Sequence, residues 1–151
     1  MKNVLMVCLG NICRSPMAEG ILRAKAKERN IAISTDSAGT SSWHQGEKAD
    51  ARARETMRSK GIAIDDLRSR PFSPEDFDLF DYIFVMDRKN FADIFDLAKT
   101  EAHKQKIKLY LEESSATKVK EVPDPYYGED DGFEVVYELL VEATHRFLDR
   151  I

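Results

Sequence analysis

The sequence predicts an α/β protein: a single domain with an open parallel sheet of four strands and helices on both faces. Short apolar runs alternate with amphipathic stretches of helical length, the pattern of strands connected by crossover helices. The chain has 151 residues, enough for one sizeable core and too few for two. The run Val4-Leu5-Met6-Val7 stops at Cys8 and yields within a few residues to a helix start at Ser15-Pro16, the opening of a βαβ unit.

The elements follow in order. Val4 to Val7 has the continuous apolar character of a strand buried on both faces. Gly10 and Asn11 tolerate positive φ, and Pro16 suits a first helical turn with Ser15 as N-cap. The helix is expected from Met17 to about Arg29, ended by Asn30, and Ile31 to Ser37 alternates as the second strand. A loop of small residues from Ser37 to Gly46 carries the one tryptophan, Trp43, before a helix expected over Lys48 to Lys60. Residues 61–73 read as irregular, and Ser73-Pro74 opens a short helix. Tyr82 to Met86 is the third strand, Arg88 to Leu97 a helix, and Ile107 to Tyr110 a short last strand. The polar stretch Glu112 to Glu121 leads into Val122-Pro123-Asp124-Pro125-Tyr126-Tyr127-Gly128. A long final helix places Phe133, Val136, Tyr137, Leu140, Val141, Thr144, Phe147, Leu148 and Ile151 on one face. Cys8, Ser37 and Asp87 each follow a predicted strand and should gather at the carboxyl edge of the sheet, where such folds place their sites.

Composition narrows the partners. Net charge is −4 and the sequence pI about 5.5, so neither nucleic acid nor an anionic membrane is an expected partner. No run approaches the roughly 18 apolar residues of a membrane span, and the start of the chain has no signal-peptide layout, so a cytoplasmic location is expected. Two cysteines do not make a disulfide framework, and their spacing does not suit a zinc ribbon. His44, His103 and His145 are scattered, and no metal site is expected.

The chemistry concentrates around Cys8. A loop entering a helix turns successive N–H groups inward to the positive end of the helix dipole, which makes an anion site. That field also favours a thiolate, and Arg14 supplies a guanidinium able to grip two oxygens of a tetrahedral anion. Nucleophile, cation and cradle describe a phosphate-binding nucleophilic site.

The stretch Val7-Cys8-Leu9-Gly10-Asn11-Ile12-Cys13-Arg14-Ser15-Pro16 resembles the phosphate-binding loop of the low-molecular-weight protein tyrosine phosphatases, and the likeness covers essentially the whole chain. The resemblance implies strand order 2-1-3-4. It implies hydrolysis of phosphotyrosine in proteins, peptides and small aryl phosphates, with inorganic phosphate as product and no metal or organic cofactor. Asp124, stiffened between two prolines, resembles the family's general acid. The substrate would be held by Leu9, Gly10, Asn11, Ile12, Cys13, Arg14 and Ser15, with Trp43, Tyr126 and Tyr127 as aromatic walls. Ser15 would donate to the Cys8 sulfur, and Ser37 would orient Asn11. Many members carry a histidine that also helps to hold this asparagine, and Leu67 stands in its place. The remaining candidates are Ser37 with backbone alone, or a side chain such as Arg70. Related enzymes that act on phosphoarginine place threonine where Ile12 stands, so Ile12 favours phosphotyrosine. An arsenate reductase on this fold would need cysteines beyond Cys8 and Cys13, and a silent phosphate-binding module would need neither Cys8 nor Asp124. Cys13 is expected to trap an oxidised Cys8 as a disulfide, the alternative being a small buried packing residue.

Overall fold

Val4, Leu5, Met6 and Val7 are all fully buried because β1 (Lys2–Cys8) runs through the middle of the sheet with a hydrogen-bonded strand on each side. The structure is a computed structural model that describes residues 1–115, 118, 120–128 and 131–151. Three positions of the polar stretch before Val122 therefore lie outside the described residues, as do residues 129 and 130. The four strands are β1, β2 (Ile33–Gly39), β3 (Tyr82–Val85) and β4 (Ile107–Leu109), all parallel, in the order β2-β1-β3-β4. This is the expected sheet and order. The register sets Cys8 beside Gly39 and Val7 beside Val85, so the carboxyl ends of the three neighbouring strands finish together.

Alternation along β1 divides the core into two layers. Val4, Met6 and Cys8 face the layer built from α1 (Arg14–Glu28), α2 (Ala51–Ser59) and α6 (Gly132–Arg150). Leu5 and Val7 face the layer that includes α3 (Asp76–Leu79) and α4 (Arg88–Phe95), with Phe77, Ile83, Val85, Ile94 and Leu109. On α6, Phe133, Val136, Leu140, Thr144, Phe147 and Leu148 are buried as expected, whereas Tyr137 and Val141 are only half-buried and Ile151 is exposed. Phe147 meets Phe84 of β3 edge to face at 5.0 Å, a contact that ties helix to sheet, and truncating such a buried phenylalanine to alanine costs about 3–5 kcal/mol.

Several boundaries differ from expectation for local reasons. α1 begins at Arg14 with Cys13 as N-cap, so Ser15 lies inside the first turn and Pro16 is the third helical residue. Proline is tolerated there because the first helical N–H groups have no carbonyl partner in any case. α2 begins three residues later than Lys48, because Asp50 accepts from the Arg52 amide at 2.8 Å as its N-cap while Lys48 bridges Arg68. Two short elements carried no recognisable signal: α5 (Glu101–Gln105), capped by Thr100, and a 3₁₀ turn at Tyr110–Glu113.

Candidate active site

β1 delivers Cys8, 2% exposed, to the carboxyl edge of the sheet, and the chain then curls through residues 9–13 into α1. The turn depends on Asn11, whose φ of 57° is in the left-handed region that asparagine tolerates better than most residues. Gly10, expected to share that conformation, does not adopt it. It is small for another reason: a Cβ there would lie 3.1 Å from the His44 ring. At Gly39 of β2 a Cβ would stand 2.8 Å from the Leu9 carbonyl oxygen and 3.2 Å from the Asn11 Cβ, so this glycine lets the loop close against the sheet.

The loop turns its carbonyls outward. Those of Cys8 and Leu9 accept from the amides of Thr40 and Ser41, that of Gly10 from the Ser69 hydroxyl, and that of Ile12 from the Asp50 amide at 2.7 Å. Cys13 accepts from the Met17 amide in the first turn of α1. No hydrogen bond from an N–H group of residues 9–15 to a protein acceptor is found among the described residues, so these donors are unpaired at the positive end of α1.

Arg14, 2% exposed, is the cation of this space. Its Nη1 donates to Asp87 Oδ2 at 2.7 Å and to the Val122 carbonyl at 3.0 Å, and its Nη2 stands 3.6 Å from Asp124 Oδ2. Burial works against the guanidinium charge, yet Cys8, Asp87 and Asp124 together raise its affinity for the proton, so it remains a cation. Asp87 follows β3 and had been placed at this edge by the sequence. Its grip on Arg14 has no sequence signal, because no spacing relates residues 73 positions apart.

Below the cavity, Asn11 Nδ2 donates to Ser15 Oγ at 2.7 Å, and Ser15 Oγ lies 3.0 Å from Cys8 Sγ. The Asn11 side-chain oxygen, Oδ1, accepts from the Arg70 backbone amide at 3.0 Å. Ser37, expected to orient Asn11, instead donates to Glu19 Oε1 at 2.8 Å. It sits two residues before the end of β2, beside Met6 and not beside Cys8, where a buried carboxylate of α1 captures its hydroxyl. Burial raises the Glu19 carboxyl above the usual range, against the opposing effect of that hydrogen bond. Leu67 packs against the core, and the Arg70 contribution to Asn11 comes from its main chain.

Across the cavity, residues 122–127 form the facing rim. The Val122 amide donates to the Met86 carbonyl at 2.8 Å, pinning the segment to the end of β3, and Asp124 Oδ1 accepts from the Tyr126 amide at 3.0 Å. Arg52 donates to the Tyr126 carbonyl and lies over the Tyr126 and Phe133 rings, so the first turn of α2 braces this loop. The cleft between loop and rim, about 90 Å³, is lined by Cys8, Leu9, Gly10, Ile12, Cys13, Arg14, Trp43, His44, Asp124, Tyr126 and Tyr127. Of the expected residues, only Asn11, Ser15 and Ser37 are not part of this wall. His44 is an addition, held by Glu47 at 3.0 Å; a lone histidine in a loop of small residues carries no sequence signal for this place. Cys13 is buried, and burial with nearby Asp50 and Cys8 pushes its thiol up, so it stays protonated.

A four-stranded parallel sheet whose first strand ends at a buried cysteine, with a loop leading into a helix and a buried guanidinium lining the same cleft, defines an α/β protein with its candidate site at the carboxyl edge of the sheet. The family model for low molecular weight phosphotyrosine protein phosphatase matches residues 3–151, and the chain belongs to that family. The low molecular weight phosphotyrosine protein phosphatase of Schizosaccharomyces pombe is 42% identical, with 98% of this chain and 96% of the relative covered. Among solved structures, the protein tyrosine phosphatase of Entamoeba histolytica with Hepes in the active site superposes with a TM-score of 0.95 at 40% identity, covering 99% of this chain and 96% of that one. A Drosophila structure described as an arginine phosphatase gives 0.92 at 36% identity, covering 99% and 97%.

Proposed function

We propose that this protein hydrolyses phosphotyrosine in proteins and peptides, and small aryl phosphates, through a phosphocysteine intermediate. The observation that carries the reading is that Cys8, the buried Arg14 and Asp124 line one cleft beside a loop whose N–H groups have no protein acceptor among the described residues. Cys8 Sγ attacks phosphorus in line while the amides of residues 9–15 and the Arg14 guanidinium take up the charge on the equatorial oxygens. The bond from phosphorus to the phenolic oxygen breaks, and Asp124 gives that oxygen its proton. Water then attacks the phosphocysteine, returns a proton to Asp124, and releases inorganic phosphate and the Cys8 thiolate. Arginine and amides supply the charge stabilisation, and no step calls on a metal ion or an organic cofactor.

Trp43, Tyr126 and Tyr127 give the cleft aromatic walls, suited to a phenyl ring reaching toward the cradle floor. Ile12, on the same wall, offers an apolar surface with no partner for a guanidinium, which favours phosphotyrosine over phosphoarginine. A reducing compartment such as the cytoplasm suits a mechanism that needs Cys8 free.

Turnover of p-nitrophenyl phosphate by the purified protein and by Cys8→Ser tests the scheme. Cys8→Ser is expected to bind phosphate with no measurable turnover, since a hydroxyl is a poor nucleophile on an intact cradle. Comparable turnover in parent and variant would overturn the nucleophile assignment.

A further inference from the structure

The irregular segment between α2 and α3 carries one residue that grips three parts of the molecule at once. The Arg70 guanidinium donates through Nε and Nη2 to Asp36 Oδ2 on β2, at 3.2 and 3.0 Å. The same guanidinium makes two parallel bonds to Asp76, the buried first residue of α3, from Nη1 at 3.0 Å and Nη2 at 3.1 Å. The Arg70 carbonyl accepts from the Gly39 amide at 2.8 Å, and the Phe72 amide donates to the Gly39 carbonyl at 2.7 Å. The segment has no helix or strand of its own, so the Arg70 amide is placed by these ties on one side and, on the other, by Ser69, whose carbonyl accepts from the Gly46 amide at 2.8 Å and whose hydroxyl donates to the Gly10 carbonyl at 3.0 Å. That amide donates to Asn11 Oδ1.

A backbone N–H can only donate, and this gives the chain of bonds that follows a direction. With its carbonyl oxygen turned to Arg70, Asn11 must present its NH₂ to Ser15. Ser15 Oγ, having accepted, has a single proton left, and the remaining neighbour on the path is Cys8 Sγ at 3.0 Å. From this the geometry points to Arg70 as a positioning residue, whose clamp on Asp36 and Asp76 holds the amide that sets the polarity of the Asn11–Ser15–Cys8 relay, so that Ser15 donates to the sulfur. Arg70 touches neither Cys8 nor the cleft and acts only through Asn11. The inference rests on the proposed role of Cys8 as a thiolate nucleophile, the state that such a donor stabilises.

The test is the rate at which iodoacetamide alkylates Cys8 at pH 6, followed by mass spectrometry, in the parent, Arg70→Ala, Arg70→Lys and Asp36→Asn. Loss of a well-aligned hydrogen bond to a charged group is of the order of tenfold, so Arg70→Ala is expected to slow alkylation about 3- to 10-fold. Asp36→Asn, which removes one of two anchors, should slow it less, and Arg70→Lys should fall between Arg70→Ala and the parent. The sign separates this role from a purely structural one, since a loosened loop exposes the buried sulfur and speeds alkylation. On a Ser15→Ala background, Arg70→Ala should add no further slowing, because the relay is already cut. Unchanged or faster alkylation in folded Arg70→Ala, or equal slowing with and without Ser15, would overturn the assignment. If Arg70→Ala does not fold, the same criterion applied to Asp36→Asn decides. A parent whose Cys8 reacts no faster at pH 6 than free glutathione would overturn the nucleophile itself, and the role of Arg70 with it.

Discussion

Cys8, Asn11, Cys13, Arg14 and Ser15 are each no more than 4% exposed, whereas across the same cleft Trp43 is 78% and Tyr127 89% exposed. The cradle is held by hydrogen bonds from the residues just after β2, the N-cap of α2 and the segment before α3. The rim is held mainly by Val122, Arg52 and the turn at Asp124. The two halves are thus suited to different tasks. A rigid wall of fixed dipoles fits charge development that is the same for every phosphate monoester. An exposed aromatic rim fits what differs among them, the leaving group and the chain around it.

That contrast can be broken by kinetics. Asp124→Asn is expected to lower kcat on phenyl phosphate by about 10²- to 10⁴-fold, the usual range for a general acid, and the loss should shrink as the leaving group becomes more acidic. A deficit that ignores leaving-group acidity in a series of aryl phosphates would move Asp124 out of the acid role. Arg14→Lys should cost about 10²- to 10³-fold, comparable to removing one oxyanion donor, and by the same factor for every leaving group. A lysine variant with most of its kcat would show that the planar fork, and with it the grip of Asp87, is dispensable. Ile12→Thr should shift the ratio of kcat/KM for phosphotyrosine against phosphoarginine peptides by about tenfold toward phosphoarginine, in the range of one pocket contact. An unchanged ratio in direct competition would take specificity away from this wall. The smallest effect is expected at the outermost ring: Tyr127→Ala should raise KM for a phosphopeptide by about threefold or less and leave kcat as it was, as an exposed contact made equally in ground and transition states.

How much of this is readable in the sequence depends on which atoms carry the contact. β1 and its neighbours are legible because burial on both faces requires apolar side chains at successive positions, and Val4 to Val7 supply them. Cys8, Arg14 and the turn at Asn11 are legible because side-chain chemistry and backbone conformation coincide within seven residues. The support of Asn11 is not, since its partner is the main-chain amide of Arg70, and an amide is the same at any residue but proline. Ser37 misleads for a related reason: a serine near a strand end signals a hydrogen bond without saying to whom, and here the acceptor is Glu19. The start of α1 is not legible to the residue because proline is permitted throughout the first turn, not only at its first position.

The central position of β1 also bears on the order in which this molecule assembles. It is the first strand of the chain, yet Val4 must find Thr35 on one side and Tyr82 on the other, and Arg14 meets carboxylates at Asp87 and Asp124 and a carbonyl at Val122. Each of these closures spans a long loop whose entropy is lost before the contact rewards it. Hydrolytic competence should accordingly be among the last properties to return on refolding, after helix content has recovered. A stopped-flow experiment that starts from denatured chain should show far-ultraviolet ellipticity leading the capacity to bind phosphate.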